Sequence, residues 1–271
     1  MMPHQPSATS RAGLEPVIDD ACVVFALRQE SRSFCREFRP QQDFPGAPCW
    51  AKFCGPPWLT VLAIATGVGR ARTERVMSWL LSRPEFDNLS YRPKLVLAAG
   101  FCGALQPGLR TGDMVLANEL IDAATAEHWP ATWPGQLPAG EWRPPLRLGR
   151  LVTVPRLVAV GDEKQALGRD WSAVAVDMES ATIARVCHEA RVPFGCLRVV
   201  LDELDTNLSP NLVSLMSAAK VAPLRLAAAV IRRPRLTIEL WDLARRSRLA
   251  ADQLGKALGE VLTLTLPWMQ E

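Results

Sequence analysis

The chain has 271 residues, 48% of them hydrophobic and 22% charged, with a net charge of +3. This is the composition of a soluble globular protein, long enough for one large α/β domain with a substantial core. A charge so near balance gives no reason to invoke a nucleic-acid partner, and no apolar run reaches the length of a membrane span.

Residues 1–20 are polar, with no apolar segment of signal-peptide type, and are expected to form a disordered tail before a single domain over 21–265. Ala21 to Leu27 suits a buried central strand. Trp58 to Ala65 predicts another, running into Thr66-Gly67-Val68-Gly69, where the glycine pair allows a tight turn into a helix from Arg70 to Leu81. Leu95 to Ala99 predicts a third strand, followed by a loop punctuated by Gly100, Gly103 and Gly108. Asp113 to Ile121 predicts a fourth.

The segment 123–150 holds Trp129, Trp133 and Trp142 with five prolines and three glycines, so it cannot be regular throughout. It is expected to be an irregular insertion: a lid, a subunit contact or a surface loop. Strand resumes at Leu151 to Val154, and Asp162 to Leu167 predicts a short helix. Ala173 to Val176 and Phe194 to Val200 read as strands around a helix from Met178 to Ala190. Pro210 to Ala219, Pro223 to Ile231 and Leu236 to Leu262 read as closing helices. In the last, Leu240, Leu243, Leu249, Leu254 and Leu258 form a stripe expected to pack on the core. Late basic residues (Arg225, Arg232, Arg233, Arg235, Arg245, Arg246, Arg248) form a solvated face or an anion-binding surface.

Cys22, Cys102, Cys187 and Cys196 sit in apolar contexts and read as buried small hydrophobes. With seven cysteines, three histidines and no C-x-x-C pair, a zinc site is not expected, and the pattern suits a reducing cytoplasm. Two carboxylates stand out. Glu179 and Asp202 follow two apolar strands about one β-α-β unit apart, and in a parallel sheet such strand ends converge on one ligand. Taken singly, each acid is equally a helix cap or loop residue.

The run from Ala175 to Asp205, AVDMESATIARVCHEARVPFGCLRVVLDELD, resembles the signature region of the nucleoside phosphorylase and nucleosidase superfamily. It is most similar to the methylthioadenosine/S-adenosylhomocysteine nucleosidases. VVFALRQE (Val23 to Glu30) and LVLAAGFCGALQPGLRTGD (Leu95 to Asp113) fit the same family in the right order. The resemblance implies a three-layer α/β sandwich with a mixed, twisted central sheet, and a homo-oligomeric assembly. It implies cleavage of the N-glycosidic bond of a purine nucleoside or thionucleoside, with a small-molecule nucleoside as the partner.

By resemblance, Asp202 donates a proton to the departing purine and Glu30 activates the attacking water. Glu179 accepts hydrogen bonds from the ribose hydroxyls, Met178 packs on the ribose, and Gly103 lets backbone approach the ligand. Leu157 and Val158 fall where relatives line the base, and Arg198 pairs with Glu179 or Asp177 to orient the site. Two positions depart from the family pattern: Phe101 replaces a usual Ser or Thr, and Leu201 replaces a small hydroxyl residue before the aspartate. No cofactor is expected for a hydrolase. Inorganic phosphate is the co-substrate if the chain is a phosphorylase, an alternative that includes one acting on an adenosyl-hopanoid, with Arg28 or Arg70 on the phosphate. A non-catalytic nucleoside-binding protein of the same fold is a further alternative.

Overall fold

The computed structural model describes residues 17–18, 21–44, 46–55, 61–82, 85–86, 89–133, 145–217 and 234–265. In chain order, the elements begin with β1 (Val17–Ile18), β2 (Ala21–Phe25), α1 (Arg32–Glu37), β3 (Pro40–Asp43), β4 (Trp50–Cys54), β5 (Val61–Ala65) and α2 (Arg70–Leu81). There follow β6 (Glu85–Phe86), β7 (Leu89–Tyr91), β8 (Leu95–Ala104), β9 (Met114–Asp122), β10 (Glu127–Pro130) and β11 (Leu146–Thr153). The last are α3 (Gly161–Asp170), β12 (Ala173–Asp177), α4 (Ser180–Glu189), β13 (Phe194–Asp202), α5 (Pro210–Ser217) and α6 (Pro234–Thr265).

Strands β2, β5 and the first half of β8 are buried on both faces, which is why they read as unbroken apolar runs. On one face, Val76, Met77 and Leu80 of α2 and Ile183, Ala184 and Cys187 of α4 pack on Val24, Ile64 and Ala98. On the other, Phe34 of α1 and Leu254, Leu258 and Val261 of α6 pack on Val23, Ala63, Leu97 and Val199. The result is a three-layer sandwich around a mixed sheet. Its order is β10-β9-β11-β12-β8-β2-β5-β4-β3, and β13 pairs with both β8 and β9. Because β13 bridges those two, β9, β11, β12, β8 and β13 close into a ring, and β5-β4-β3 extends as an open wing.

Several boundaries differ from expectation. β8 runs through Gly100 and Gly103 to Ala104 instead of stopping at Ala99. Both glycines read as loop punctuation, yet each marks a place where another residue's side chain lies against the strand. The 123–150 segment contains two stretches of strand: β10, a hairpin partner of β9, and the start of β11, which pairs with β9 from Leu146 onward. Its residues 134–144, with Trp142, lie outside the described residues. So do 1–16 of the expected tail, of which Val17–Ile18 pairs with Ser90–Tyr91, and the helix expected at 223–231.

In α6 only the C-terminal half of the leucine stripe is core. Leu254 and Leu258 are fully buried, Leu249 is 46% exposed, and the first turns present Ile238 and Trp241 to solvent. The buried half sits close on α1 because Gly255 and Gly259 face it. A Cβ on Gly255 would come within 2.7 Å of Ser33 Cβ.

Candidate active site

Three loops at the strand ends build the site. After β2 the chain makes a tight turn in which Glu30 N–H donates to Leu27 O (3.0 Å) and Leu27 N–H donates to Glu30 Oε2 (2.7 Å). The other carboxylate oxygen, Oε1, accepts from Phe101 N–H (3.0 Å), which ties the acid to β8. Glu30 is 4% exposed. Burial raises its pKa, and the Arg198 guanidinium and the two backbone N–H groups partly offset that. A side chain at Gly100 would occupy the space of both Arg198 Nη1 and Glu30 Oε1, so glycine there lets the acid and the base meet over the strand.

Arg198, on β13, is 2% exposed. Its guanidinium pairs with Asp177 Oδ2 (2.6 Å) and donates to Ser180 Oγ through Nη2 (2.7 Å) and Nε (3.1 Å). Asp177 ends β12, accepts from Thr153 Oγ1 (2.6 Å), and caps α4 by accepting from Ser180 N–H (3.0 Å). These contacts fix the orientation of the next turn, which carries Met178 and Glu179. Glu179 Oε1 accepts from Gly69 N–H (2.8 Å). Gly67 (φ +84°) and Gly69 (φ +96°) both lie in the left-handed region, so the glycine pair is what turns that N–H toward the acid. Burial, and then repulsion from Asp177, push the Glu179 pKa up to about 7, against the pull of Arg198.

Asp202 ends β13. A register irregularity between Val200 and Asp202 leaves Leu201 as an extra residue and brings Asp202 level with Gly103 of β8. A Cβ on Gly103 would lie 3.2 Å from Asp202 Oδ2. The Asp202 side chain is 14% exposed and forms an ion pair with Lys164, whose own side chain is fully buried. Lys164 Nζ also donates to Glu203 O (2.8 Å) and Thr206 O (3.3 Å). Burial raises the Asp202 pKa, and Lys164 and Arg246 pull it back.

The structure thus brings Glu30, Phe101, Gly103, Arg198, Glu179 and Asp202 together around β8, with Cys102 close enough to feel Arg198, Asp202 and Asp177 at once. Arg198 pairs with Asp177 and not Glu179, and its Nη2 and Nε both bond to protein partners. Phe101 contributes its backbone N–H, and its side chain packs against the α1/α6 side of the sheet. Met178 is half-buried beside Glu179. Val158 is buried with Leu105 and Val176, so it stands behind the Asp202 end of the site, with half-buried Leu157 next to it. Arg70 is committed to Asp122, and Arg28 lies over the Trp50 ring at 5.5 Å.

Sequence reasoning missed Lys164, Thr153 and Ser180. For Lys164 a signal existed: it shares one face of α3 with Gly161 and Gly168, the buried positions of that helix. Among the described residues, no group of His, Cys, Asp and Glu could hold a metal ion, no helix is long and apolar enough to cross a membrane, and the cysteines are free.

A three-layer sandwich with a mixed, partly closed sheet and buried acids at the β2, β12 and β13 ends defines a class. The chain belongs to the phosphorylase superfamily, which it matches over residues 58–139 and 135–232. Within that class it is similar to 5′-methylthioadenosine/S-adenosylhomocysteine nucleosidases. The one from Baumannia cicadellinicola is 24% identical over 222 residues, covering 72% of this chain and 93% of the relative. The one from an Exiguobacterium strain is 22% identical over 201 residues, covering 65% and 81%. Among solved structures, the Helicobacter pylori nucleosidase with butyl-thio-DADMe-Immucillin-A superposes with a TM-score of 0.66 at 16% identity, covering 91% of this chain and 99% of that one. Futalosine hydrolase of the same organism gives 0.63 at 16% identity, covering 91% and 98%. These likenesses bear out the expected fold.

Proposed function

We propose that this enzyme hydrolyses the N-glycosidic bond of a purine nucleoside or 5′-thionucleoside. The observation that carries the reading is the convergence around β8 of Glu30, from near the start of the chain, with Glu179 and Asp202, the first two buried, the third largely so, and each with a raised pKa. Breaking this bond needs a proton for the departing base, a hold on the sugar as positive charge develops, and a nucleophile at the opposite face. Asp202 supplies the proton. Lys164 fixes its orientation and keeps the carboxyl titratable instead of permanently protonated. Glu179 accepts from the sugar hydroxyls. Glu30, with Leu27 and Phe101 N–H groups on its oxygens, polarises a water. The two carboxylates near the sugar also stabilise an oxocarbenium-like transition state.

Hydrolysis is favoured over phosphorolysis by Glu30, whose buried carboxylate would repel a phosphate in the water's place, and by Arg70, one of the two candidate phosphate ligands, which Asp122 holds. Arg28, the other, stacks over Trp50 without an ion pair among the described residues, so phosphate dependence is the decisive measurement. The test is release of free base from adenosine, methylthioadenosine and adenosylhomocysteine, with and without phosphate. Base released equally in both supports the reading. Base released only with phosphate makes the chain a phosphorylase, and saturable binding with no base from any substrate makes it a nucleoside-binding protein.

A further inference from the structure

A cleft of about 1140 Å³ opens beside the acids, on the β2, β5 and β4 side of the sheet. Its inner wall is made of Ala26, Leu27, Thr66 and Gly67, from the same two loops whose N–H groups hold Glu30 and Glu179. Its outer walls carry six cations, Arg28, Arg32, Arg36, Lys52, Arg72 and Arg75, and no carboxylate. Arg36 is paired with Asp252 and Lys52 with Asp43. The other four have no ion-pair partner among the described residues. Arg28 is propped over Trp50, and Arg72 lies across Gly67, where a Cβ would meet its Cδ at 3.1 Å. The Cys35 thiol, in the same wall, is lowered to about 7, first by a hydrogen bond with Cys54 and further by Lys52 and Arg28. Arg28, Arg32, Arg72 and Arg75 are exposed side chains lining one concavity whose walls hold no carboxylate. Such an arrangement fits an anion that neutralises them.

The order of the sheet says where that anion is attached. Asp202 sits on β13, Glu30 reaches β8 from the end of β2, Glu179 meets the turn after β5, and the cleft continues toward β4. A nucleoside with its base at Asp202 and its sugar between Glu30 and Glu179 directs the end remote from the base into the cleft. We propose that the Arg28, Arg32, Arg72 and Arg75 cleft seats an acidic group at the end of the sugar's 5′ substituent, so that the preferred substrates are nucleosides with an anionic tail. This rests on the proposed placement of the base and sugar.

The experiment compares 5′-(3-carboxypropylthio)adenosine with 5′-butylthioadenosine, which matches it in length without the charge. The expected result is a kcat/KM at least about tenfold higher for the acidic compound, an advantage that shrinks with added salt. Arg32→Ala and Arg75→Ala should each remove most of it through KM, while Arg169→Ala, an exposed cation on α3, leaves the ratio unchanged. Equal kcat/KM values, or a ratio indifferent to the cleft variants, overturn the proposal. If neither compound is cleaved, the hydrolase reading fails by itself, and calorimetric Kd values for the two compounds still decide. A tenfold preference lost in Arg75→Ala supports the cleft, and equal Kd values overturn it. Inorganic phosphate is the third arm. Cleavage of the butyl compound that requires phosphate assigns the cleft to free phosphate and overturns the tail assignment.

Discussion

Replacing Gly100 by alanine tests the core of the site with one methyl group. The residue sits at φ +157°, a conformation L side chains rarely adopt, so alanine adds backbone strain to the steric effect. The added Cβ would lie 2.8 Å from Glu30 Oε1 and closer still to Arg198 Nη1. Ordinary contact begins near 3.4 Å, so Glu30 must retreat by about 0.6 Å. That stretches its 3.0 Å bond from Phe101 N–H beyond hydrogen-bond length. Overpacking of this kind typically costs about 1–3 kcal/mol, and a weakened bond to a buried carboxylate adds to it. A total near 3 kcal/mol corresponds to a fall in Tm of roughly 6–12 °C for a chain of this size. If Glu30 activates the water as proposed, displacing it by this much should lower kcat by about a hundredfold. Calorimetry and base release measure the two effects. Adding Glu30→Asp should recover only part of the stability, because the shorter side chain clears the methyl while Arg198 Nη1 does not, and it should not recover turnover. Gly100→Ala with a Tm within about 1 °C and a kcat within about twofold of the parent would refute the reasoning.

Three further outcomes are expected. Asp202→Asn should lower kcat by at least about a hundredfold with nucleoside binding largely kept, and unchanged base release would remove Asp202 from its role. Lys164→Met leaves Asp202 with less to hold its proton off, so the alkaline limb of the kcat profile should move to higher pH; a limb that stays in place shows that Lys164 does not tune the acid. Glu179 retains a proton when folded up to about pH 7, whereas the unfolded chain releases it near 4.5. The unfolding free energy therefore declines as pH rises across that window, by on the order of 3 kcal/mol for this group. Glu179→Gln should accordingly be more stable than the parent at pH 8 and lose that advantage toward pH 4.5, as read by urea unfolding. A difference independent of pH would contradict it.

What the sequence made legible follows from burial. β2, β5, α2 and β13 were readable because their residues meet the core, and α2 begins and ends where its turn glycines and Pro84 predict. β3 was not readable: Pro40–Asp43 is a fully exposed, polar edge strand with no apolar alternation to betray it. β8 was read too short because Gly100 and Gly103 look like breakers until the side chains lying over them are seen. In the site, the three acids were legible from family resemblance at the strand ends. Their supports were not. Thr153 and Ser180 are ordinary polar residues in sequence, and only the fold shows that they bond to Asp177 and Arg198. Arg198 had two candidate partners, and the pleat decided between them, because Asp177 sits on the strand and Glu179 beyond it.

The closure of β13 onto β9 has a consequence for how substrate range can drift. Asp202 hangs from a strand hydrogen-bonded on both flanks, in a ring with no free edge, so the Asp202 end of the site cannot loosen without breaking several ladders together. The arginine-lined cleft leans on the β4-β3 hairpin, which forms the edge of the sheet among the described residues. Amide exchange should be slowest in the ring and fastest in that hairpin. Tolerance to mutation should follow the same gradient: the ring that carries Asp202 is held fast, and the hairpin wall of the cleft is left open to change.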